Sequence, residues 1–340
     1  MKARLLISLC VVVHAVFGQS VEQNKFKIMF YNTENFFDCV DDSLTDDAEF
    51  NRGGVRGWNY ERYQEKQRHL SRVIVSVGEW EVPAIVGLCE VENAKCVRDL
   101  VFYSPLKNLG YKFIHFESPD PRGIDVALLY QPDKFRPFHS EPIRIHFPFA
   151  PASRTRDVLF VSGKMPQGDT LHVFVCHFPS RLGGELESAE KRMFVALQVR
   201  LKVDSIMHQS PTAKIVIMGD FNDFPSDKSL CEGLKALSVP SNPDGAQLYN
   251  LMDAMQKKGL GTNKHAGEWG ILDQLIVSGA LLRSSAAVHT SQNKAHIFSP
   301  DFLLEDDKAY LGKQPFRTYN GIKYQGGYSD HLPVYLEINY

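Results

Sequence analysis

Residues 214–222 read Lys-Ile-Val-Ile-Met-Gly-Asp-Phe-Asn, an apolar run that ends in Gly219-Asp220-Phe221-Asn222. The β-branched and apolar residues of the run predict a strand. Side chains on a strand alternate between its faces, so Asp220 and Asn222 are predicted to point the same way. The pair combines a proton acceptor with an amide that can orient a water molecule.

A second polar motif lies near the end of the sequence. Ser329-Asp330-His331 follows a Gly-Gly turn and precedes the apolar stretch 332–336. It supplies another carboxylate and an imidazole, whose charge changes near neutral pH. The two motifs together indicate metal-assisted cleavage of a phosphate ester, and neither is decisive alone.

The composition and the first residues of the sequence indicate a globular protein that is exported. The 340 residues are 44% hydrophobic and 23% charged, so a sizeable core is available. Two leader cations, the apolar stretch 5–17 and a small residue at 18 predict a signal peptide over residues 1–18. Residues 19–340 show no linker or repeat and are predicted to form a single domain. We expect a secreted or periplasmic monomer without stable membrane insertion.

Charge and cysteine usage narrow the partners further. Without the leader, 36 Lys and Arg stand against 40 Asp and Glu, a formal charge of −4. This mild acidity argues against broad capture of long nucleic acid and leaves a local basic cleft open. Cys89 and Cys176 lie in apolar runs and are predicted to be buried. Cys39, Cys96 and Cys231 allow one disulfide bridge, and the sequence does not determine which two would form it.

The predicted elements favour a layered α/β fold. One helix is predicted from an Asn59 cap to Gly78, and another from about residue 185 to 208. The second carries one apolar face, made of Leu186, Ala189, Met193, Leu197 and Leu201. Strands are predicted at 84–89, 112–116, 126–130, 142–147, 158–161, 171–177, 214–218, 272–277 and 333–338, and a solvated loop at 38–57. So many strands favour two sheets packed face to face with helices outside.

Polar residues recur where the predicted strands begin or end. They are Asn32, Glu34, Glu90, His177, Asp220, Asn222, Asp273, Asp330 and His331. Each alone fits a helix cap or a solvated loop residue, and His177 alone fits a core histidine. Their recurrence indicates a site, because separate capping requirements would not gather acids, amides and histidines at strand ends. Carboxylate oxygens suit Mg²⁺ or Mn²⁺, whereas zinc would recruit more histidine or cysteine.

The order of these motifs resembles the endonuclease/exonuclease/phosphatase superfamily, the group that includes DNase I. The matching motifs are Asn32-x-Glu34, Leu88-Cys89-Glu90, His177-Phe178-Pro179, Gly219-Asp220-Phe221-Asn222, Leu272-Asp273-Gln274 and Ser329-Asp330-His331. The resemblance implies a secreted bacterial member with a four-layer α/β sandwich, two packed mixed β-sheets flanked by helices. One departure is Cys89, which stands where the superfamily usually has glutamine.

The resemblance also implies which residues bind metal and phosphate. Glu90 looks like the main metal ligand, with Glu34 nearby or bound through water, and Asp330 close to the metal. Asn32 looks like a polar contact to phosphate or metal-bound water. Arg156, by a weaker alignment, matches a phosphate-contacting arginine and equally fits a surface ion pair.

The catalytic roles follow from the same resemblance. Asp220 would polarise the attacking water, and Asn222 would orient it. Asp273 would fix the tautomer of His331, so that the ring donates to phosphate. His177 is similar to a second histidine that contacts phosphate or the leaving group.

These expectations leave the substrate open. The leading function is a metal-dependent phosphoesterase, foremost an endonuclease-like phosphodiesterase with nucleic acid as a candidate partner. A small-molecule or lipid phosphatase is the alternative on the same site, and a non-catalytic binding module is the alternative of another class. Lys and Arg clustered around the site would favour nucleic acid, whereas a closed pocket would favour a small monoester.

Overall fold

The computed structural model describes residues 24–51, 53–181 and 183–340, so the predicted signal peptide lies outside the described residues. In this part of the chain the α-helices are α1 (Tyr60–Gly78), α2 (Ala94–Phe102), α3 (Glu185–Gln209) and α4 (Asp253–Gln256). The strands are β1 (Lys25–Phe36), β2 (Ile85–Val91), β3 (Lys112–His115), β4 (Asp125–Tyr130), β5 (Arg136–Ile143), β6 (Val158–Lys164), β7 (Thr170–His177), β8 (Lys214–Asp220), β9 (Ala236–Ser238), β10 (Leu248–Asn250), β11 (Asn263–His265), β12 (Glu268–Gly270), β13 (Asp273–Ser278), β14 (Ala295–Ile297), β15 (Leu304–Asp306), β16 (Lys313–Pro315), β17 (Tyr319–Asn320), β18 (Lys323–Tyr324) and β19 (Val334–Asn339). No described helix combines the length and the apolar character that crossing a membrane requires.

Two mixed sheets form the centre of the fold. One has the strand order β14-β19-β1-β2-β4-β3, and the other has the order β5-β6-β7-β8-β13-β10-β9. Each sheet has a parallel pair at its centre, β1 with β2 and β7 with β8. Strands next to these pairs run antiparallel to them. The predicted pair of packed mixed sheets is confirmed.

Three apolar layers hold the sheets and helices together, and β8 shows how one strand serves two of them. Val216 and Met218 point into the layer between the sheets, while Ile215 and Ile217 point into the layer under α3. Both faces of the strand are buried, which explains its continuous apolar run. The helices α1 and α2 cover the outer face of the other sheet. The result is the four-layer α/β sandwich.

The helix α1 begins and ends as the sequence predicts. The Asn59 side chain accepts a hydrogen bond of 3.0 Å from the backbone N–H of Arg62, which caps the first turn. The helix ends at Gly78. Its buried stripe contains Tyr63, Leu70, Val73, Ile74 and Val77, and also the side chain of Lys66.

The helix α3 covers the predicted range but buries a different face. Leu186, Leu197 and Leu201 are 86%, 42% and 62% exposed. The buried stripe consists of Ser188, Arg192, Val195, Ala196, Val199, Val203, Ile206 and Met207. The predicted face was wrong because the true stripe starts with polar residues, and Arg192 Nε lies 2.7 Å from Asp223 Oδ1. An ion pair there takes the place of apolar contact.

Two backbone predictions also need correction. The strand predicted at 142–147 is β5, which ends at Ile143 and lies at the edge of its sheet. Its half-exposed, polar side chains give little strand signal. The segment 38–57 is not simply a solvated loop, because the buried ring of Phe50 stacks on Phe37 at 4.3 Å between centroids.

The five cysteines in the described part of the chain are all free. Cys89 and Cys176 are fully buried in the core, as the sequence predicts. Cys39, Cys96 and Cys231 form no bridge. Cys89 packs in the layer between the two sheets, so the residue that replaces the usual glutamine has a packing role here.

Candidate active site

Three adjacent strand ends of the seven-stranded sheet carry the centre of the site. Asp220 ends β8, His177 is its partner on β7, and Asp273 is its partner on β13. Register partners share a face of the sheet, so pairing alone places the three side chains next to one another. The close approach of β7 requires Gly219, because a Cβ there would lie 2.4 Å from the carbonyl oxygen of Cys176.

Irregular strand ends bring Glu34 and Glu90 in from the other sheet. The register between β1 and β2 shifts beyond Asn32, which is a β-bulge. Glu34 and Glu90 have φ angles of 50° and 58°, a left-handed conformation that costs about 1 kcal/mol or more for such residues. Bulges of this kind re-aim side chains beside active sites. Glu90 Oε1 thereby lies 4.0 Å from His177 Nε2.

Asp220 stands at the centre of the hydrogen-bond network. Its Oδ1 accepts from the backbone N–H of Asn222 at 2.9 Å, and its Oδ2 accepts from Asn32 Nδ2 at 3.0 Å. The same Oδ2 lies 3.7 Å from His177 Nε2 and 3.8 Å from His331 Nε2. Burial raises the pKa of Asp220 to about 6, against the opposing effect of the His331 charge. Its carboxylate is therefore a stronger base than an exposed one.

His331 and Asp273 form a buried pair. His331 Nδ1 lies 2.6 Å from Asp273 Oδ2. Burial lowers the pKa of His331, but the charges of Asp273 and Asp220 and the hydrogen bond to Asp273 raise it well above its ordinary value. The ring is therefore protonated at both nitrogens, and Asp273 fixes its orientation through Nδ1–H. Nε2–H remains as a donor on the side of Asp220.

His177 is buried against Arg156. Arg156 Nη2 lies 3.0 Å from His177 Nε2, and Arg156 Nη1 pairs with Asp120 Oδ2 at 3.0 Å. Burial, and then the charge of Arg156, lower the pKa of His177 well below its ordinary value, so the ring is neutral. Arg156 is thus a buried ion-pair residue, and the surface alternative was wrong. Its contact with phosphate stays a prediction.

Asn222 has a fixed orientation beside Asp220. Its φ of 50° is left-handed, a conformation that asparagine tolerates better than most residues. Its Nδ2 donates to the carbonyl oxygen of Phe178 at 3.0 Å. The side chain is half-buried and borders an open cavity, so its amide can meet a ligand there.

Glu34 and Asp330 share a guanidinium. Arg317 Nε lies 3.4 Å from Glu34 Oε1, and Arg317 Nη2 lies 3.1 Å from Asp330 Oδ2. Burial and the charge of Asp330 together raise the pKa of Glu34 to about 7, against the opposing charges of Lys66 and Arg317. The two carboxylates therefore repel each other, and Arg317 partly relieves that repulsion.

The donors fit a hard divalent cation. The three predicted ligands Glu34, Glu90 and Asp330 are carboxylates, and a cation would relieve the repulsion between Glu34 and Asp330. Their oxygens do not all lie within 4.8 Å of one another, whereas Asp220, Asp273 and His331 do offer such a set. In that second set the hydrogen bond between Asp273 and His331 occupies Nδ1. Carboxylate chemistry thus suits Mg²⁺ or Mn²⁺, with Arg317 as a competitor for two ligands.

Two cations of the site, Lys66 and Arg317, do not belong to the sequence motifs. Lys66 Nζ is buried and donates to Thr318 Oγ1 at 2.5 Å and to the Tyr328 carbonyl at 2.6 Å. Burial lowers the pKa of Lys66 to about 8, and the charge of Glu34 opposes that shift. The signal for Lys66 was its place in the apolar stripe of α1, since a buried lysine needs partners. The sequence around Arg317 carries no comparable pattern.

A cavity of about 710 Å³ opens beside Asn222. It lies between Ser180, Arg181 and Gly183 before α3, the segment after β8 and the hairpin β11–β12. Phe224 and Trp269 form aromatic walls, and Trp269 also borders a second cavity of about 380 Å³. Gly270 lets the hairpin approach Phe224, because a Cβ there would lie 2.5 Å from the Phe224 ring.

Several solved structures resemble the fold at low sequence identity. TDP2 of D. rerio, in complex with a single-strand DNA product, has a TM-score of 0.55 at 15% identity, over 93% of this chain and 99% of that one. The human Nocturnin catalytic domain with bound sulfate gives 0.55 at 16%, over 92% and 94%. A mannosyl-6-phosphatase of Bacteroides thetaiotaomicron gives 0.55 at 16%, over 93% and 100%. At such identities the likeness shows the fold alone.

The sequence itself matches one family model. A comparison with curated proteins finds no match. The model described as Endonuclease/Exonuclease/phosphatase family matches residues 27–340, which is nearly the whole chain. The chain therefore belongs to the endonuclease/exonuclease/phosphatase family and is a hydrolase of phosphate esters.

Proposed function

We propose that this hydrolase requires Mg²⁺ or Mn²⁺ and uses water activated by Asp220 to cleave phosphate monoesters of small molecules. The observation that supports this proposal best is the position of Asp220. Its carboxylate accepts hydrogen bonds from the Asn32 side-chain amide and the Asn222 backbone amide. It also lies within 4 Å of the rings of His177 and His331. The cavity of about 710 Å³ beside it is open to solvent and has room for the alcohol part of a small substrate. We also propose that the protein acts outside the cytoplasm, as its leader sequence suggests.

The residues divide the reaction among them. Asp220 Oδ2 takes the proton of the attacking water, because burial keeps its pKa close to the working pH. Asn222 orients that water, and His331 Nε2–H donates to the phosphate oxygen on which charge develops. A cation bound by Glu34, Glu90 and Asp330 would neutralise phosphate oxygens.

Neutral His177 has a separate place in this scheme. Its ring stays uncharged beside Arg156, so it adds no positive charge to the site. Its Nε2 lies between Glu90 and Asp220, at 4.0 and 3.7 Å from their carboxylate oxygens. It therefore fits a group that packs against the ester and positions it between metal ligand and base.

The charges at the site favour the small monoester over nucleic acid. Arg181 pairs with Asp223 at 3.1 Å and Asp227 at 2.7 Å, and Arg317 pairs with Glu34 and Asp330. The positive charges of these guanidiniums are already neutralised by neighbouring carboxylates, so they would add little to the binding of a nucleic-acid backbone. This reverses the order of the two hydrolase functions that the sequence left open.

An endonuclease-like phosphodiesterase remains the second candidate, and one observation favours it. The side chain of Arg122 is 46% exposed beside the Glu90 carboxylate. Its Nη2 donates to Asn35 Oδ1 and lies 3.9 Å from Glu90 Oε2, so the guanidinium is only loosely paired with a carboxylate and can meet a flanking phosphate. The structural neighbours include both kinds of protein, TDP2 with DNA and a sugar phosphatase.

A substrate panel tests the proposal. Purified protein is given glycerol phosphate, bis(p-nitrophenyl) phosphate, a single-stranded oligonucleotide and plasmid DNA, each with Mg²⁺, Mn²⁺ or EDTA. We expect phosphate release from the monoester with either metal and none with EDTA. Faster cleavage of the oligonucleotide or the plasmid would overturn the monoester assignment, and full activity in EDTA would overturn the metal requirement.

A further inference from the structure

We infer that the 710 Å³ cavity beside Asn222 is a subsite for the neutral, hydroxyl-rich ring of a sugar phosphate. The inference rests on the proposed function and names its substrate class. Four features of the cavity support it: its place, its walls, its charge and its rigidity.

The cavity adjoins the reacting centre on two sides. Asn222 lines it and donates its backbone N–H to Asp220. Asn263 also lines it, forms an isolated bridge with His331, and donates from Nδ2 to the Asp330 carbonyl at 2.9 Å. A phosphate bound between Asp220 and His331 would therefore direct its alcohol part into this cavity.

The walls combine flat apolar surface with hydrogen-bonding groups. Trp269 and Phe224 present aromatic rings, which pack against the C–H faces of a saturated ring. The amide of Asn263 and the carboxylates of Glu185 and Glu268 stand around them. Carboxylates accept hydrogen bonds only, which suits the hydroxyl donors of a sugar.

The charge of the cavity excludes a second phosphate. Arg181 is its one cation apart from histidine, among the described lining residues. That guanidinium donates to the Asn222 carbonyl at 2.6 Å and pairs with Asp223, Asp227 and Glu185. With Glu268 added, the lining is net negative, so a neutral group is favoured over a polyanion.

The hairpin that carries Trp269 is held in place. Lys264 Nζ pairs with Asp307 Oδ2 at 2.7 Å, and both side chains are about 95% buried. The same Nζ donates to the Leu311 carbonyl at 2.9 Å. The hairpin is thus anchored to the β15–β16 hairpin, and the aromatic wall is present before a ligand arrives.

Kinetics of Trp269→Ala test the subsite. Glucose 6-phosphate and glycerol phosphate are compared as substrates, with Mg²⁺, for the unmodified protein and for the variant. The loss of the indole should lower kcat/KM for glucose 6-phosphate about ten-fold relative to kcat/KM for glycerol phosphate. Most of this change should be a higher KM for glucose 6-phosphate. Trp80→Ala is the matched control, since Trp80 is fully exposed and follows α1 near the start of β1. An unchanged ratio in Trp269→Ala would overturn the subsite while leaving the phosphoesterase intact.

A binding experiment separates this inference from the proposed function. Tryptophan fluorescence of Asp220→Asn is titrated with glucose 6-phosphate, adenosine monophosphate and an eight-nucleotide DNA. We expect a saturable change with glucose 6-phosphate that Trp269→Phe removes. Such binding without hydrolysis by the unmodified protein would support the subsite and overturn the function. Tighter binding of the oligonucleotide, or no change with the sugar phosphate, would overturn the subsite.

Discussion

Single residues determine the chemistry here, and Asp220 is the clearest case. Two amides orient its carboxylate, and two histidines lie on the same side as Oδ2. Burial holds its pKa at about 6, a value suited to a base at neutral pH. An asparagine at this position has nearly the same shape as the aspartate but no negative charge. A substitution can therefore test the charge of Asp220 while its shape is kept.

Asp220→Asn should lower kcat by a factor on the order of 10²–10⁴, since the amide cannot accept the water proton. The isosteric amide keeps the hydrogen bond from the Asn222 N–H and loses the one from Asn32 Nδ2. Burying a neutral group in place of a carboxylate offsets part of that loss, so the urea midpoint should change little. Asp133→Asn, on an exposed loop, is the control. Steady-state kinetics and urea unfolding on the same samples check both expectations. Turnover close to that of the control would contradict the role of base.

Arg317 is a second case, because it holds two predicted metal ligands at once. Arg317→Met should lower the Kd for Mg²⁺ by about ten-fold, roughly 1.4 kcal/mol, since a competing cation leaves Glu34 and Asp330. Titration calorimetry of metal-free protein measures this without any turnover. Arg136→Met, on the exposed edge strand, should bind as the unmodified protein does. Weaker binding in Arg317→Met would mean that the guanidinium arranges the ligands and does not compete for them.

At the scale of elements, the helix α3 links packing to the site. Its Arg192 pairs with Asp223, which directly follows the segment 220–222 that we propose to be catalytic. Arg181, from the loop before the helix, pairs with the same carboxylate oxygen and covers the Phe224 ring at 4.6 Å. The start of α3 is therefore tied to the segment that carries Asn222.

Arg192→Met should lower the free energy of unfolding by about 3 kcal/mol, because it leaves a buried carboxylate with one partner fewer. Leu201→Ala, on the face that the sequence wrongly predicts as buried, should change it by no more than about 0.5 kcal/mol. Urea unfolding at constant m-value measures both. The reverse ranking would restore the predicted face.

The sequence was sufficient to predict the strands and the polar residues at their ends. It was not sufficient to predict which side chains are buried or which distant residues they contact. The apolar run of β8 and the polar residues after it gave the strand, its burial and the site residue Asp220. The period of α3 gave its length, but the face predicted as buried was wrong, because an arginine such as Arg192 can be buried once a distant acid pairs with it. Arg317 and the cavity depend on segments far apart in sequence, which no local pattern relates.

Over the whole molecule, buried acids link stability to pH and metal. Burial raises the pKa of Glu34 to about 7 and that of Asp220 to about 6, so the folded state binds these protons more tightly than the unfolded state. Their contribution to stability is full below about pH 4 and is lost as the pH rises through 6 and 7. A bound cation would take the place of the lost protons.

The rise in melting temperature caused by excess Mg²⁺ should therefore be larger at pH 8 than at pH 5. Thermal unfolding with Mg²⁺ or EDTA at the two pH values measures this difference. Glu34→Gln, which removes one of the titrating groups, should reduce the difference between the two pH values. An equal shift at both pH values would mean that the cation does not bind at these carboxylates.

Among the described lining residues, Trp269 alone borders both the 710 Å³ and the 380 Å³ cavities. Its indole thus acts as a partition whose size limits how far a ligand can extend. We predict that Trp269→Gly joins the two spaces into a longer channel that extends to Leu332 and Ile297, which line the second cavity and not the first. If the substrates are sugar phosphates, as we propose, this variant should also hydrolyse disaccharide phosphates, whereas the unmodified protein should not.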